Sequence, residues 1–362
     1  MGYLRLGERV QSPEGDTVAT VTPAVIDEIE ACFAAGWTDG RPVVPPTRER
    51  VERMLGAWAA RRDEVVAVLA PGQGRATVEK IAANAVMAGC LPEYLPVVLE
   101  AVRALADPGF DLEDCVTTVH SVSPMVLVNG PIAEQLEMNG RANALGQGNR
   151  ANATIGRAVM LIIQNIGMAR PGGLDATTMG QPGKFGFCFT ESPESPWPHL
   201  QVDRGFSADD STVTVYGADA PFCICDFGRP TPEGLMESLA HSLTVPGSYN
   251  FFFREEIWLV MSPEHADGVA RHGWTKDDVR RYLFEHVRLD AGTLKRRSLY
   301  GFADAVVVPD WYADAEDGDL IPICRRPEQV VVVCAGGPYG GYTEGILGMG
   351  NSLTRKIAGP DA

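Results

Sequence analysis

Residues 330–342 read VVVVCAGGPYGGY: four valines and a cysteine in one run, then glycines at 336, 337, 340 and 341 around Pro338. Two other stretches share this grammar, MVLVNGPIAEQLE at 125–137 and IWLVMSPEHADGV at 257–269, each an apolar run, a small residue, then proline at 131 or 263. A short unbroken apolar run bounded by turn residues suits a strand buried on both faces, because both of its side-chain rows must pack against other elements. The first two runs continue into helical spacing, and each follows an amphipathic helix, at 92–106 and 232–245. The expected fold is α/β: mixed sheets flanked by helices, built from diverged helix-strand-helix repeats.

The spacing outward from these runs predicts a helix over 23–35 that stops at Gly36, and a second helix after Thr47 with Val51, Met54, Leu55 and Trp58 on one face. Segment 76–90 reads as a helix ended by Gly89, and another helix runs from about Asn152 to Ile166. Stretches 184–191 and 211–218 alternate at strand period. With 362 residues the chain exceeds the roughly 250–300 at which one core stops growing. The expected organisation is an N-terminal helical arm (1–35), a first α/β lobe (36–175) and a second lobe with the glycine-rich unit (176–362). Positions 291–320, charged and turn-prone, read as an excursion or lid.

The chain has 47 acidic and 31 basic residues, a formal charge of -16, which disfavours nucleic acid and anionic membrane surfaces as partners. No stretch reaches about 18 uninterrupted apolar residues and the N-terminus carries no signal-like apolar segment, so a soluble, cytoplasmic protein is expected. Eight scattered cysteines read as reduced thiols rather than a disulfide framework, and no zinc-type spacing implies a metal.

No phosphate-loop, nucleophile-elbow or metalloprotease motif is present, so candidate chemistry rests on individual residues. His120, in TTVHSVSPMVLVNG, stands on an extended polar segment just before a strand and reads as a general base or as a hydrogen-bonded structural residue. Lys80 sits in an otherwise apolar helix, where desolvation would lower its pKa and make it a base, or it is one exposed Glu-Lys step. Cys334 reads either as a nucleophile closing the strand or as a small buried hydrophobe. Arg150, with Asn149 beside it at a helix start, suits an anion clamp. Lys184 is a further candidate for substrate contact. By the rule that sites gather at the carboxyl ends of strands, Asn129, Ser262, Gly336, Gly337, Tyr339 and Tyr342 would face one crevice.

Four phrases, GWTDGRPVVPPT (36–47), ATVEKIAANAVMAGCLPEYLPVVLEAV (76–102), GNRANATIGRA (148–158) and GQPGKFGFCFTESPESPW (180–197), together resemble a largely uncharacterised bacterial family associated with UGSC-type (selenocysteine-Gly-Ser-Cys) redox proteins. The resemblance runs from about Gly36 to the end and implies a bacterial, cytoplasmic, enzyme-like protein. The defining element is absent: CAGGPYGG (334–341) lacks the second cysteine. The expected function is that of a soluble enzyme acting on a small carboxylate-bearing metabolite by cofactor-independent acid–base chemistry, an elimination, hydration or hydrolysis. Alternatives are a thiol-dependent oxidoreductase and a non-catalytic partner subunit. Expected partners are the small-molecule substrate and either a second copy of the chain or a redox partner protein.

Overall fold

This computed structural model describes residues 10–11, 17–18, 23–228, 231–296 and 308–360, those before 27 by their backbone alone. Most of the expected arm and residues 297–307 of the expected excursion therefore lie outside the described residues.

Eight strands build two four-stranded sheets: β1 (Ser123–Asn129), β2 (Cys188–Phe189), β3 (Thr212–Ala218), β4 (Phe222–Cys225), β5 (Ile257–Met261), β6 (Val330–Cys334), β7 (Tyr342–Ile346) and β8 (Gly348–Lys356). The first sheet has the order β8-β3-β1-β2 and the second β6-β5-β7-β4. Each carries one parallel pair, β1 with β2 or β5 with β6, followed by two antiparallel pairings. Both sheets thus follow one pairing plan. The order helix, strand, proline-led helix does recur at 95–135 and 232–270, yet that order does not by itself establish a repeat of the sequence.

Helices α1 (Val78–Ala88), α2 (Leu95–Leu105), α3 (Pro131–Gln135), α4 (Arg150–Asn165), α5 (Pro232–Leu243), α6 (Pro263–Ala270) and α7 (Lys276–His286) complete the layers. Strand alternation sorts the core. Val126, Val128, Val213 and Val215 pack with α1, α2 and α4. Ile257, Leu259, Met261, Val330, Val332 and Cys334 pack with α5 and α7. The opposite rows, Met125, Leu127, Tyr216, Trp258, Val260, Val331, Val333 and Ile346, meet between the sheets. The molecule is a four-layer sandwich of helices, sheet, sheet and helices, so each strand at its centre is buried on both faces and reads as continuously apolar.

The sheets are joined by exchange. The chain leaves β3 in the first sheet and enters β4 in the second after three residues, and it returns from β7 to β8 across Leu347 alone. Gly348 makes the return feasible, because a Cβ there would stand 2.1 Å from the Gly217 carbonyl oxygen. The expected lobe boundary at 175/176 runs through a sheet, since β1 pairs with β2 and β3. Stretch 184–191 forms only the two-residue β2, preceded by a tight turn at Pro182–Phe185. No helix among the described residues is long and apolar enough to cross a membrane.

Candidate functional site

A cavity of about 640 Å³ opens where the parallel strands β1 and β2 end, lined by the residues that follow each of them, Gly130 and Pro131 on one side and Thr190 and Glu191 on the other. Carboxyl ends of parallel strands are where α/β sheets place ligands, because the connections diverge there. Asn139, Arg141, His199 and Gln201 add polar groups to the wall.

Three local devices hold this wall. Asn149 caps α4 by accepting from the Asn152 amide at 3.0 Å, and its own Nδ2 donates to the Glu137 carbonyl at 2.7 Å. Buried Asn152 accepts from the Asn139 amide at 3.1 Å and donates back to the Asn139 carbonyl at 2.8 Å. Gly140 lets the loop press onto the strand end, where a Cβ would come within 2.2 Å of the Glu191 carbonyl oxygen. The asparagines of the NRAN phrase are therefore spent on shaping this wall.

Glu191 forms the floor. Its carboxylate is buried and accepts from Asn129 Nδ2 at 2.9 Å, from the Leu200 amide at 2.6 Å and from the Cys334 amide at 3.3 Å, with Lys276 Nζ at 4.0 Å. His199 stands on the cavity wall with Nε2 3.1 Å from the Ser192 carbonyl oxygen. A carbonyl can only accept, so Nε2 carries the proton of the neutral ring and Nδ1 keeps its lone pair. Gln201 is 2% exposed, lines the same cavity, and its Oε1 has no hydrogen-bond partner. Glu191 is legible in sequence only as a carboxylate past a strand, and His199 and Gln201 are hidden there: His199 lies in a proline-flanked phrase and reads as solvated. The signal available was its place ten residues after a strand whose parallel partner ends in Asn129-Gly130-Pro131.

The glycine turn forms a separate cleft of about 240 Å³. Ser262, Gly336, Gly337, Tyr339 and Tyr342 do line it together, with Asn143–Gly146 opposite. Asn129 is absent from it, engaged instead with Glu191. The two sites share a wall, since the Gly336 amide donates to the Gly140 carbonyl at 2.9 Å.

Other expected residues take structural parts. Cys334 is fully buried in the outer layer against the helices, and burial pushes its thiol up to about 12, so it is a core residue and not a nucleophile. Lys80 is exposed: Thr77 caps α1 and leaves Lys80 on the solvent side of its first turn, donating to the Arg75 carbonyl at 3.2 Å, which removes the desolvation argument. Arg150 donates through Nε and an Nη to the Gly89 carbonyl at 3.1 and 3.0 Å, closing the end of α1 instead of clamping an anion. His120 has Nε2 2.8 Å from Asp219 Oδ1 and stacks on Tyr249 at 4.8 Å, while its Nδ1 is buried without a partner. It lines neither the 640 Å³ cavity nor the glycine-turn cleft. Among the described residues no group of three or more His, Cys, Asp or Glu is placed to hold a metal ion.

Lys184 lines a third cavity of about 570 Å³, with Nζ 2.9 and 2.7 Å from the two Asp175 oxygens and 2.5 Å from Thr177 Oγ1. Asp39 lies on the same wall, held by Arg157 at 2.8 and 2.9 Å and by Arg41 at 2.7 Å. Burial alone would raise the Asp39 carboxyl, but hydrogen bonds and charge from the two guanidiniums overcome it and bring it from 3.8 to about 2. A carboxylate depressed in this way contributes stability that is complete above its ordinary pKa and is lost as pH falls toward about 2. The melting temperature of the wild-type chain is accordingly expected to fall more steeply below pH 4 than that of Asp39→Asn. Parallel slopes in the two proteins would show that this cluster does not set acid sensitivity.

No family model matches the chain, and no curated protein matches it.

Proposed function

We propose that this chain is an enzyme of the cytoplasm that acts on a small carboxylate-bearing molecule by acid–base chemistry in the cavity at the ends of β1 and β2. The observation that carries the reading is His199. Its Nε2–H donates to a backbone carbonyl, which orients the ring and leaves Nδ1 as the base, on the wall of a cavity of about 640 Å³. Arg141, on the same wall and more than half exposed, supplies the charge that would meet a carboxylate, and its present partner Glu194 is also solvated and readily exchanged. Gln201 contributes a buried amide with an unfilled acceptor that a substrate hydroxyl or amine would complete. An enzyme-like role is also what the resemblance to the UGSC-associated bacterial family implies.

Thiol chemistry draws less support. Six of the eight thiols are buried, and burial pushes those of Cys90, Cys115 and Cys324, like Cys334, up to about 12.

The test begins with small carboxylic acids screened for a rise in melting temperature, followed by turnover of the best hit. His199→Ala is expected to lower kcat/KM by about 10²–10⁴-fold, the usual contribution of a positioned base, with the fold intact by circular dichroism. A His199→Ala protein that turns the substrate over at the parent rate refutes the assignment.

A further inference from the structure

The glycine-turn cleft contains a negative charge that the acid–base reading leaves idle. Glu344, on β7, is half-buried in the cleft, and among the described residues no lysine, arginine or histidine pairs with it; its near neighbour is the Cys223 thiol across the β4–β7 pairing. Burial pushes its carboxyl up, and the hydrogen bond from the Cys223 thiol offsets this only in part, so no positive charge answers it there. A second carboxylate, Glu264, reaches the same turn and accepts from the Gly340 amide at 2.6 Å.

Aromatic rings stand beside this charge. Tyr342 and Glu344 are two residues apart on one strand and so project to the same face. Tyr339, 90% exposed at the tip of the turn, lines the cleft with them, and Phe227 buttresses Tyr342 edge-on at 5.2 Å. An exposed tyrosine beside a carboxylate without a counter-ion has no packing role to explain it. Ring faces and a carboxylate attract the same kind of ligand, a cation with apolar substituents, through the ring quadrupole and direct charge. A volume of about 240 Å³ falls below the roughly 300–1,000 Å³ of sites that enclose a whole drug-sized ligand, so the cleft suits a head group.

We propose that the cleft between the glycine turn and residues 143–146 is a binding site for a small organic ammonium ion, held by the Glu344 carboxylate and the rings of Tyr342 and Tyr339. The formal charge of -16 favours arrival of such a ligand from solution. This site is separate from the β1/β2 cavity, and the proposal stands or falls independently of His199.

The experiment titrates the full chain with tetramethylammonium chloride, and with sodium chloride at matched ionic strength, following amide and aromatic resonances or calorimetric heat. The expected result is saturable binding of tetramethylammonium, weakened about fivefold or more by Tyr342→Leu and by Glu344→Gln and kept by Tyr342→Phe, which preserves the ring. The proposal is overturned if tetramethylammonium gives no saturation beyond the sodium control, or if Tyr342→Leu and Glu344→Gln bind it as the parent does.

Discussion

Glu191→Ala is expected to lower stability by about 3–5 kcal/mol, the range for removing one partner from a buried charged network. The side chain takes hydrogen bonds from both sheets, through Asn129 at the end of β1 and the Cys334 amide at the end of β6, and it also receives the Leu200 amide. Truncation leaves these three donors without an acceptor and leaves the buried Lys276 ammonium closer to uncompensated, although Asp203 at 3.0 Å still pairs with it. Glu191→Gln keeps one carbonyl oxygen for Asn129 and Leu200 but turns an amide toward the Cys334 N–H, so a smaller loss of about 1–2 kcal/mol is expected. Urea midpoints at constant m-value measure both. An alanine variant as stable as the parent would mean that water takes over all three bonds, and the sheets would then be joined at this end by packing alone.

That pivotal role was only partly visible in the amino-acid sequence. Glu191 could be recognised as a carboxylate beside a strand, but its partners come from residues 129, 200 and 334, and nothing local relates them. The same limit explains the layers. In VVVVC both side-chain rows are apolar, so the sequence announces burial on two faces without saying which face meets helices and which meets a second sheet. Parity then decides the fate of Cys334: it shares a row with Val330 and Val332 and therefore points at the helices, away from the cleft that Ala335 and Gly336 line just after it.

Connections misled in a related way. Strands joined by one to three residues usually pair with each other, yet β3 and β4, and β7 and β8, part into different sheets. A lobe boundary near 175 was the natural expectation from a run of elements, and the exchange of strands abolishes it. Local signals fared better where a single turn decides the outcome. Thr47, read as a cap, does cap the helix Arg48–Leu55, its side-chain oxygen accepting from the amide three residues on, and Thr77 and Asn149 cap α1 and α4 in the same way. What Arg150 does with its guanidinium is set by a carbonyl 61 residues away, and for that reason it read as an anion site.

The layer between the sheets yields the second large effect. Trp258 is fully buried there, stacked on Tyr216 at 5.5 Å, and its Nε1–H has no hydrogen-bond partner. Trp258→Ala removes the largest side chain of that layer and is expected to cost about 3–5 kcal/mol through lost burial and the cavity left behind. Trp258→Phe separates two contributions. It sacrifices part of the ring's contact area, but it also removes a buried donor whose unsatisfied state costs about 1–3 kcal/mol, so the net change should stay within about 1 kcal/mol of the parent. Chemical denaturation of the three proteins supplies the comparison. If phenylalanine proved as damaging as alanine, the indole nitrogen would have to be engaged in the folded state, and the inter-sheet layer would owe its stability to a polar contact rather than to the interlocking of two apolar strand faces.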